Sequence, residues 1–328
     1  MYLEYPSSLD ASLRLFADFA IPPEPRRLLV QMHGWHGQVK SHHADNLSAS
    51  PAPEWFVIRP EMRGRGDATG KPDCNGWELQ DVVDAVEFTR QRFPEHILRP
   101  ELVALTGGSG GGGNVMALVG KFPDYFCCAV AECGISDYAL WYRDDVVGEF
   151  RDEMNIWIGG SPDEHPEAYA SRSGITTAAN LLTPLLLFHG ERDARVPAEQ
   201  SRRFVAEARR HGRGHLVTYH EFPGVGGREH YGQMTAEQRE FLARERAAFL
   251  HTHARLIHLP PRGQLVVAGY LKTRQLEVIL NDISCVATVD YDLERGEVEI
   301  SAPTAAEATV CLCLADGRRE TRLLRLQS

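Results

Sequence analysis

The stretch LVALTGGSGGGGNV, residues 102–115, is an apolar run that ends in six glycines around one serine. It continues into NVMALVGKF (114–122), apolar at helical spacing, so the segment predicts a strand, a tight turn and a helix. Two kinds of site fit such a turn. Gly108, Gly110 and Gly113 match G-x-G-x-x-G, a backbone cradle for a pyrophosphate at a helix N-terminus, and Glu132 closes the next apolar run at about the 20-residue separation of a ribose-binding acid. Gly107, Ser109 and Gly111 equally match G-x-S-x-G, a strained turn with serine at its tip, where small neighbours avoid the adjoining strand and helix. The local residues leave both readings open.

The 328 residues suffice for one large core, or for a core and a small second domain. A composition of 43% hydrophobic and 24% charged residues is that of an ordinary globular protein. The formal net charge of -10 argues against broad contact with nucleic acid or an anionic membrane, both of which need clustered Lys and Arg, so small or neutral substrates are expected. MYLEYPSSLDASLRLFADFA, at the start, lacks a basic leader followed by an apolar run, and no stretch approaches the roughly 20 apolar residues of a membrane span. Cys74, Cys127, Cys128, Cys133, Cys285, Cys311 and Cys313 are odd in number, follow no tight framework and mostly lie in apolar runs. They read as reduced, buried small hydrophobes, which predicts a cytoplasmic location; CLC at 311–313 lacks the C-x-x-C pairing of a zinc site, and no metal or cofactor is expected.

Short apolar runs alternate with amphipathic stretches over most of the chain. RLLVQM (27–32), WFVIRP (55–60), LVALTG (102–107), FCCAVAE (126–132), PLLLFHG (184–190) and LVTYHEF (216–222) read as strands. Residues 77–93, 197–212 and 235–254 read as helices, with Val82, Val83, Val86 and Phe88, then Phe204, Val205 and Ala208, then Phe241, Leu242, Phe249 and Leu250 as their inner faces. This alternation predicts an α/β fold, a mostly parallel sheet with helices on both faces, and places ligands at the carboxyl ends of its strands. From about residue 255 the runs QLVVAGYL, LEVILNDISCVATVDYD, GEVEISAP and ATVCLCLADG are broken by turns and not by helices, which predicts a small C-terminal all-β module. The expected division is a catalytic domain over 1–254 and a β-rich accessory module over 255–328, the latter folding independently or leaning on the larger domain. Residues 134–180, long for a connection, are the candidate lid or pocket insertion.

The downstream residues discriminate between the two turns, because a nucleophilic serine needs a base and an acid at later strand ends. PLLLFHGERDARVP (184–197) delivers Asp193 to a loop, and the strand LVTYHEF leads into PGVGGREHYG, which carries His230. The order Ser109, Asp193, His230 is that of an α/β-hydrolase. A serine hydroxyl attacks only when an imidazole takes its proton, a carboxylate holds that imidazole in the right tautomer, and a pair of N–H donors stabilises the oxyanion, at roughly 3–4 kcal/mol for a single donor. Gly110 follows the serine and supplies one N–H; the loop MHGWHG (32–37) is placed to supply another at Trp35.

GGSGGGGNVMALVGKFPDYFCCAVAECGISD and YASRSGITTAANLLTPLLLFHGERDARVPAEQSRRFVAEARRHG resemble the catalytic domain of the prolyl oligopeptidase family and its esterase relatives over about residues 25–250. MRGRGDATG (62–70) is similar to the R-G-x-G-x-S-x-G loop of that group, with Asp67-Ala68-Thr69 in place of its serine-containing stretch, and H-G-x-x-D-x-x-V-P is a more specific element than either glycine pattern. The resemblance implies Ser109 as nucleophile, Asp193 as acid and His230 as base. The chain departs from the pattern at Ser173-Gly174, where the family often has Ser-Pro, in GGREHYG around the base, and in having no propeller-length segment ahead of the hydrolase.

Each assignment has a plainer competitor. Ser109 can be incidental to a structural glycine turn, and Asp193 a helix N-terminal acid near Pro197. His215 and His220 compete with His230. His33, His36, His42 and His43 cluster as metal ligands do, yet lie in an oxyanion-type loop, and Trp35, Trp77, Trp141, Tyr142 and Trp157 either line a pocket or pack a core. Asp144, Asp145, Glu149, Asp152 and Glu153 either meet a substrate amine or form a solvated face. The reading that results is a serine hydrolase forming an acyl-enzyme on carboxylic esters, including acyl groups on larger polar molecules or polymers. Small peptides are the second substrate class, a silent hydrolase fold and an NAD-type oxidoreductase are the alternatives, and the C-terminal module is a candidate oligomer interface.

Overall fold

The computed structural model describes residues 1–39, 54–145, 147–303, 307–313 and 318–325. Eight strands form one sheet: β1 (Tyr2–Pro6), β2 (Arg14–Ala20), β3 (Arg27–Met32), β4 (Trp55–Pro60), β5 (Val103–Gly108), β6 (Cys128–Glu132), β7 (Leu185–Asp193) and β8 (Val217–Gly227), in the order β1-β2-β4-β3-β5-β6-β7-β8. From β4 to β8 every neighbouring pair is parallel, while β1 and β2 join antiparallel at one edge. The central strands are apolar at consecutive positions because both of their faces are covered. Leu28, Val30, Val103, Leu105, Leu185 and Leu187 belong to one core, with Val82, Val86, Leu118 and Phe204 of the helices Glu78–Arg92, Gly110–Lys121 and Glu199–Arg210. Their alternate neighbours Leu29, Val57, Ala104, Val130, Leu186 and Phe188 face the other way, onto Leu242 and Leu250 of the helix Ala236–Thr252. That helix opens with a reciprocal cap, the Thr235 hydroxyl accepting from Gln238 N at 3.2 Å and the Gln238 amide oxygen from Thr235 N at 2.9 Å.

Residues 134–180 hold three short helices, Tyr138–Asp144, Arg151–Ile158 and Pro166–Arg172, and a 3₁₀ turn over Gly174–Asn180. The C-terminal strands are β9 (Arg262–Ala268), β10 (Tyr270–Lys272), β11 (Leu276–Leu280), β12 (Val286–Asp292), β13 (Glu297–Ser301), β14 (Glu307–Cys313) and β15 (Arg319–Arg325). They form a second, fully antiparallel sheet in the order β13-β12-β9-β10-β11-β14-β15. Burial alternates along β14, the mark of a sheet packed on one face. This sheet is docked on the parallel one. Asn180 Nδ2 donates to Gly120 O at 2.9 Å and to Val266 O at 2.8 Å, its Oδ1 accepts from Val266 N at 2.7 Å, and the Lys121 ammonium donates to Ala268 O. No helix among the described residues is long and apolar enough to cross a membrane, and none of the seven cysteines forms a disulfide.

Candidate active site

β5 ends at Gly108, the helix starts at Gly110, and Ser109 between them has φ 57° and ψ −123°. A left-handed backbone at a residue with a Cβ costs about 1–3 kcal/mol and persists only where its surroundings dictate it. Here Ser109 N donates to Glu132 O at 2.8 Å and Ser109 O accepts from Gly113 N at 3.0 Å, which ties the tip to β6 and to its own helix. A Cβ on Gly107 would lie 2.5 Å from Gly111 O, and one on Gly111 2.6 Å from His33 O, so both positions exclude any side chain. Gly108 is different: its nearest contact would be Glu132 O at 3.8 Å, and the turn does not require glycine there. A Cβ on Gly110 would lie 2.5 Å from Trp35 N, so the Trp35 amide sits directly over the start of the helix Gly110–Lys121, beside Gly110.

Two strands away, β7 ends at Asp193. Its Oδ1 accepts from the amides of Arg195 at 3.0 Å and Val196 at 2.9 Å, and its Oδ2 accepts from His230 Nδ1 at 2.7 Å. The Asp193 side chain is fully buried, whereas 16% of that of His230 is exposed, so the imidazole can meet a ligand while its partner cannot. Burial by itself would raise the Asp193 pKa; the imidazoles of His189 and His230 outweigh it and hold the carboxyl well below the usual range. His189 Nε2 lies 3.6 Å from Oδ2 and donates instead to Val196 O at 2.7 Å, while Nδ1 accepts from the Ser201 hydroxyl at 2.8 Å. His230 is itself left-handed, with φ 64°, and a Cβ on Gly190 would lie 2.6 Å from His230 O, so bare backbone brings the two loops together. No hydrogen bond joins the Ser109 hydroxyl to His230 among the described residues, a common state of unliganded sites.

The remaining histidines have other partners. His220 stacks on Phe188 at 5.4 Å, and His215 Nδ1 lies 3.1 Å from Gly212 O at the surface. His33 Nε2 accepts from Met62 N at 3.2 Å and His36 Nε2 lies 2.9 Å from Glu153, while His42 and His43 fall outside the described residues. Among the described residues one group of metal-type side chains converges: the donor atoms of Cys133, Asp193 and His230 lie within 4.8 Å of one another. The aspartate–histidine hydrogen bond accounts for two of them. The third, Cys133, has φ 49° and a thiol raised by burial and by Asp193, and nothing in AECG marks it in the sequence.

A small open cleft adjoins Gly110 and Trp35. Met62, Pro72, Tyr138 and Trp157 give it apolar walls, while Cys74 in a loop and Glu78 at the start of the helix Glu78–Arg92 line it as well. Burial and the Asp73 charge push the Glu78 carboxyl up to about 7. Residues 134–180 cover Trp35, whose ring lies 4.9 Å from Trp141 and 5.2 Å from Trp157 and whose indole N–H donates to Glu153. The acidic residues of this segment are largely engaged with the protein itself: Glu149 pairs with Arg195 at 2.5 Å and Arg228 at 2.7 Å, and Asp145 accepts from the amides of Glu149, Phe150 and Arg151. Trp77 and Trp141 pack, the latter donating its indole N–H to Arg195 O at 2.7 Å.

A strained serine after a central parallel strand, with an aspartate and a histidine on loops beyond later strands of the same edge, places the chain among the α/β-hydrolases. Within that class it belongs to the prolyl oligopeptidase family of serine hydrolases, whose sequence profile matches residues 60–256. It is similar to the uncharacterized peptidase YuxL of Bacillus subtilis, with 32% identity over 187 residues, which are 55% of this chain and 28% of that protein. Among solved structures it resembles the acylaminoacyl peptidase of Pyrococcus horikoshii, with a TM-score of 0.62 at 20% identity over 79% of this chain and 42% of that one. It also resembles the Pyrococcus furiosus esterase Pf2001, with a TM-score of 0.57 at 15% identity over 78% of this chain and 91% of that one. The chain thus spans under a third of YuxL, and the likeness to the solved structures is one of fold.

Proposed function

We propose that the protein hydrolyses carboxylic esters through an acyl-enzyme on Ser109, with His230 as general base and Asp193 as its orienting acid. The observation that carries this reading is the 2.7 Å bond between His230 Nδ1 and Asp193 Oδ2, on the strand edge that bears the strained serine. With Nδ1–H donated to a carboxylate, the Nε2 lone pair is free to take the Ser109 proton as Oγ attacks the substrate carbonyl. The resulting oxyanion is met by the N–H groups of Gly110 and Trp35. Collapse breaks the bond to the alcohol, which leaves with the proton held on Nε2. Water then repeats the sequence on the acyl-enzyme, returning the hydroxyl to Ser109 and releasing the acid.

Esters are the first substrate class because an alcohol leaves with less help than an amine, which draws on remote binding energy. Acyl groups carried on larger polar molecules fall within this reading, with residues 134–180 as the wall of the site. Short peptides are the second reading, supported by the family to which residues 60–256 belong. The test is labelling with a fluorophosphonate probe, with the adduct located by peptide mass spectrometry, followed by parallel turnover of matched p-nitrophenyl esters and p-nitroanilides. An adduct on Ser109 that is lost in Ser109→Ala is expected, with esters turned over faster than anilides; a folded protein that takes no label would overturn the proposal.

A further inference from the structure

The loop beneath the cleft is held in an unfavourable conformation. Cys74 and Asn75 have φ of 54° and 68°, two successive left-handed residues with side chains, each costing about 1–3 kcal/mol. Such a loop keeps its shape only under restraint from outside. Part of the restraint is local: the Asp73 carboxylate accepts from Trp77 N at 2.6 Å and Glu78 N at 3.2 Å, and the Glu78 carboxylate accepts from Asn75 N at 2.8 Å and Asp73 N at 3.1 Å. Asn75 Nδ2 adds bonds to Gly113 O at 3.3 Å and Arg172 O at 3.2 Å. Asn114 Nδ2 donates to Asn75 Oδ1 at 2.6 Å, Arg172 Nε to Asp73 O at 2.7 Å and Arg63 to Trp77 O at 3.3 Å, and the second sheet adds a further brace. Tyr270 of β10 is fully buried, donates its hydroxyl to Gly76 O at 3.1 Å and stacks on Trp77 with the ring centroids 4.9 Å apart and the planes 4° from parallel. It is held in turn by Lys121, whose ammonium lies 4.6 Å from the ring centroid, and by the edge of Phe122 at 5.8 Å.

We propose that Tyr270 is a positioning residue that sets the shape of the acyl cleft, which makes the C-terminal β-sheet a working part of the substrate site. Tyr270 touches no substrate and acts through Gly76 and Trp77 on the cleft residues that flank them, Cys74 in the loop and Glu78 at the start of the helix. The inference rests on the proposed acyl-enzyme reading for its kinetic consequence and is independent of it for its structural one. Tyr270→Phe keeps the ring stack and removes only the hydroxyl, leaving Gly76 O with the longer 3.4 Å bond from Leu79 N alone, so the fold survives while the loop loosens. Two measurements on the full chain test it.

Amide hydrogen exchange is expected to speed up by roughly 3- to 10-fold over residues 73–78, the size of one lost hydrogen bond, with β5 and the helix after it unchanged. The long-to-short ratio of kcat/KM, from p-nitrophenyl octanoate and acetate, is expected to fall by a similar factor through KM, with kcat for octanoate preserved. Exchange over 73–78 identical to that of the native chain would overturn the proposal whatever the enzyme hydrolyses. An unchanged ratio, including one in which both esters slow together, would equally overturn it, because a merely structural residue does not discriminate acyl length. A native chain that takes no fluorophosphonate label would instead strike at the acyl-enzyme reading, and the exchange result would still decide the role of Tyr270.

Discussion

Replacing Asp193 with asparagine separates the chemistry of the dyad from its architecture. Oδ1 is fixed by two backbone amides at 3.0 and 2.9 Å, so the asparagine carbonyl oxygen takes that position and its NH₂ group is turned toward His230. Two N–H donors cannot face each other across 2.7 Å, and the imidazole responds by moving its proton from Nδ1 to Nε2. The nitrogen that must accept the Ser109 proton is then already protonated. Such a tautomer error lowers kcat by about 10⁴-fold, or about 5.5 kcal/mol in the barrier. The assay is pre-steady-state fluorophosphonate labelling together with ester turnover, with circular dichroism to establish the fold. Stability carries a second signature. The Asp193 pKa is depressed in the folded chain, so its contribution is present above the unfolded value of about 3.9 and disappears as pH falls through the folded one. The native chain should therefore melt above the Asp193→Asn variant near neutral pH, with the difference closing in acid. A folded variant that loses less than about 10-fold in kcat would refute the assignment of His230 as base.

Three further outcomes follow from the same geometry. Gly107→Ala forces a Cβ to within 2.5 Å of Gly111 O, whereas Gly108→Ala meets nothing closer than 3.8 Å, so the first should unfold or lose labelling and the second retain both; equal behaviour of the pair would contradict the account of the turn. Arg63 reaches Asp81 with a two-pronged pair at 2.6 and 2.7 Å, and Arg63→Ala strands a buried carboxylate, an expected loss of about 3–5 kcal/mol by urea denaturation; a loss below about 1 kcal/mol would show that the pair does little. Burial lowers the Lys121 ammonium from its usual 10.5 to about 7, so between those values the unfolded chain binds more protons and stability rises with pH. Lys121→Met should flatten that rise in a series of melting temperatures, and parallel slopes for the two proteins would rule the effect out.

Of the six parallel strands, β3 to β7 are legible in the sequence because strands covered on both faces are continuous apolar runs, and the edge strand β8 by the alternation in LVTYHEF; RLLVQM and WFVIRP coincide with β3 and β4 to the residue. The meeting of Asp193 and His230 follows from that legibility, since the loops after two adjacent parallel strands emerge on one edge. The N-terminal pair β1 and β2 is not legible, because YLEYP is an edge strand with a single buried residue and no clear periodicity. Gly107 and Gly108 are indistinguishable as letters, yet only the first faces backbone across the turn. The left-handed Cys74, Asn75 and Cys133 give no local signal either, since their conformations are imposed by groups distant in the chain. Tyr270 is the extreme case, an ordinary aromatic in a β run whose partner is the carbonyl of Gly76.

That partnership has a consequence for how the protein is made. Gly76 and Tyr270 are 194 residues apart, so at about 5–20 residues per second a ribosome synthesises them roughly 10–40 s apart. Ser109, Asp193 and His230 all precede Tyr270 in the chain, so the residues of the proposed triad are synthesised before the one that braces the loop beside the cleft. On the proposed reading, a chain cut short before β10 would carry the residues for the chemistry and lack the brace for its cleft.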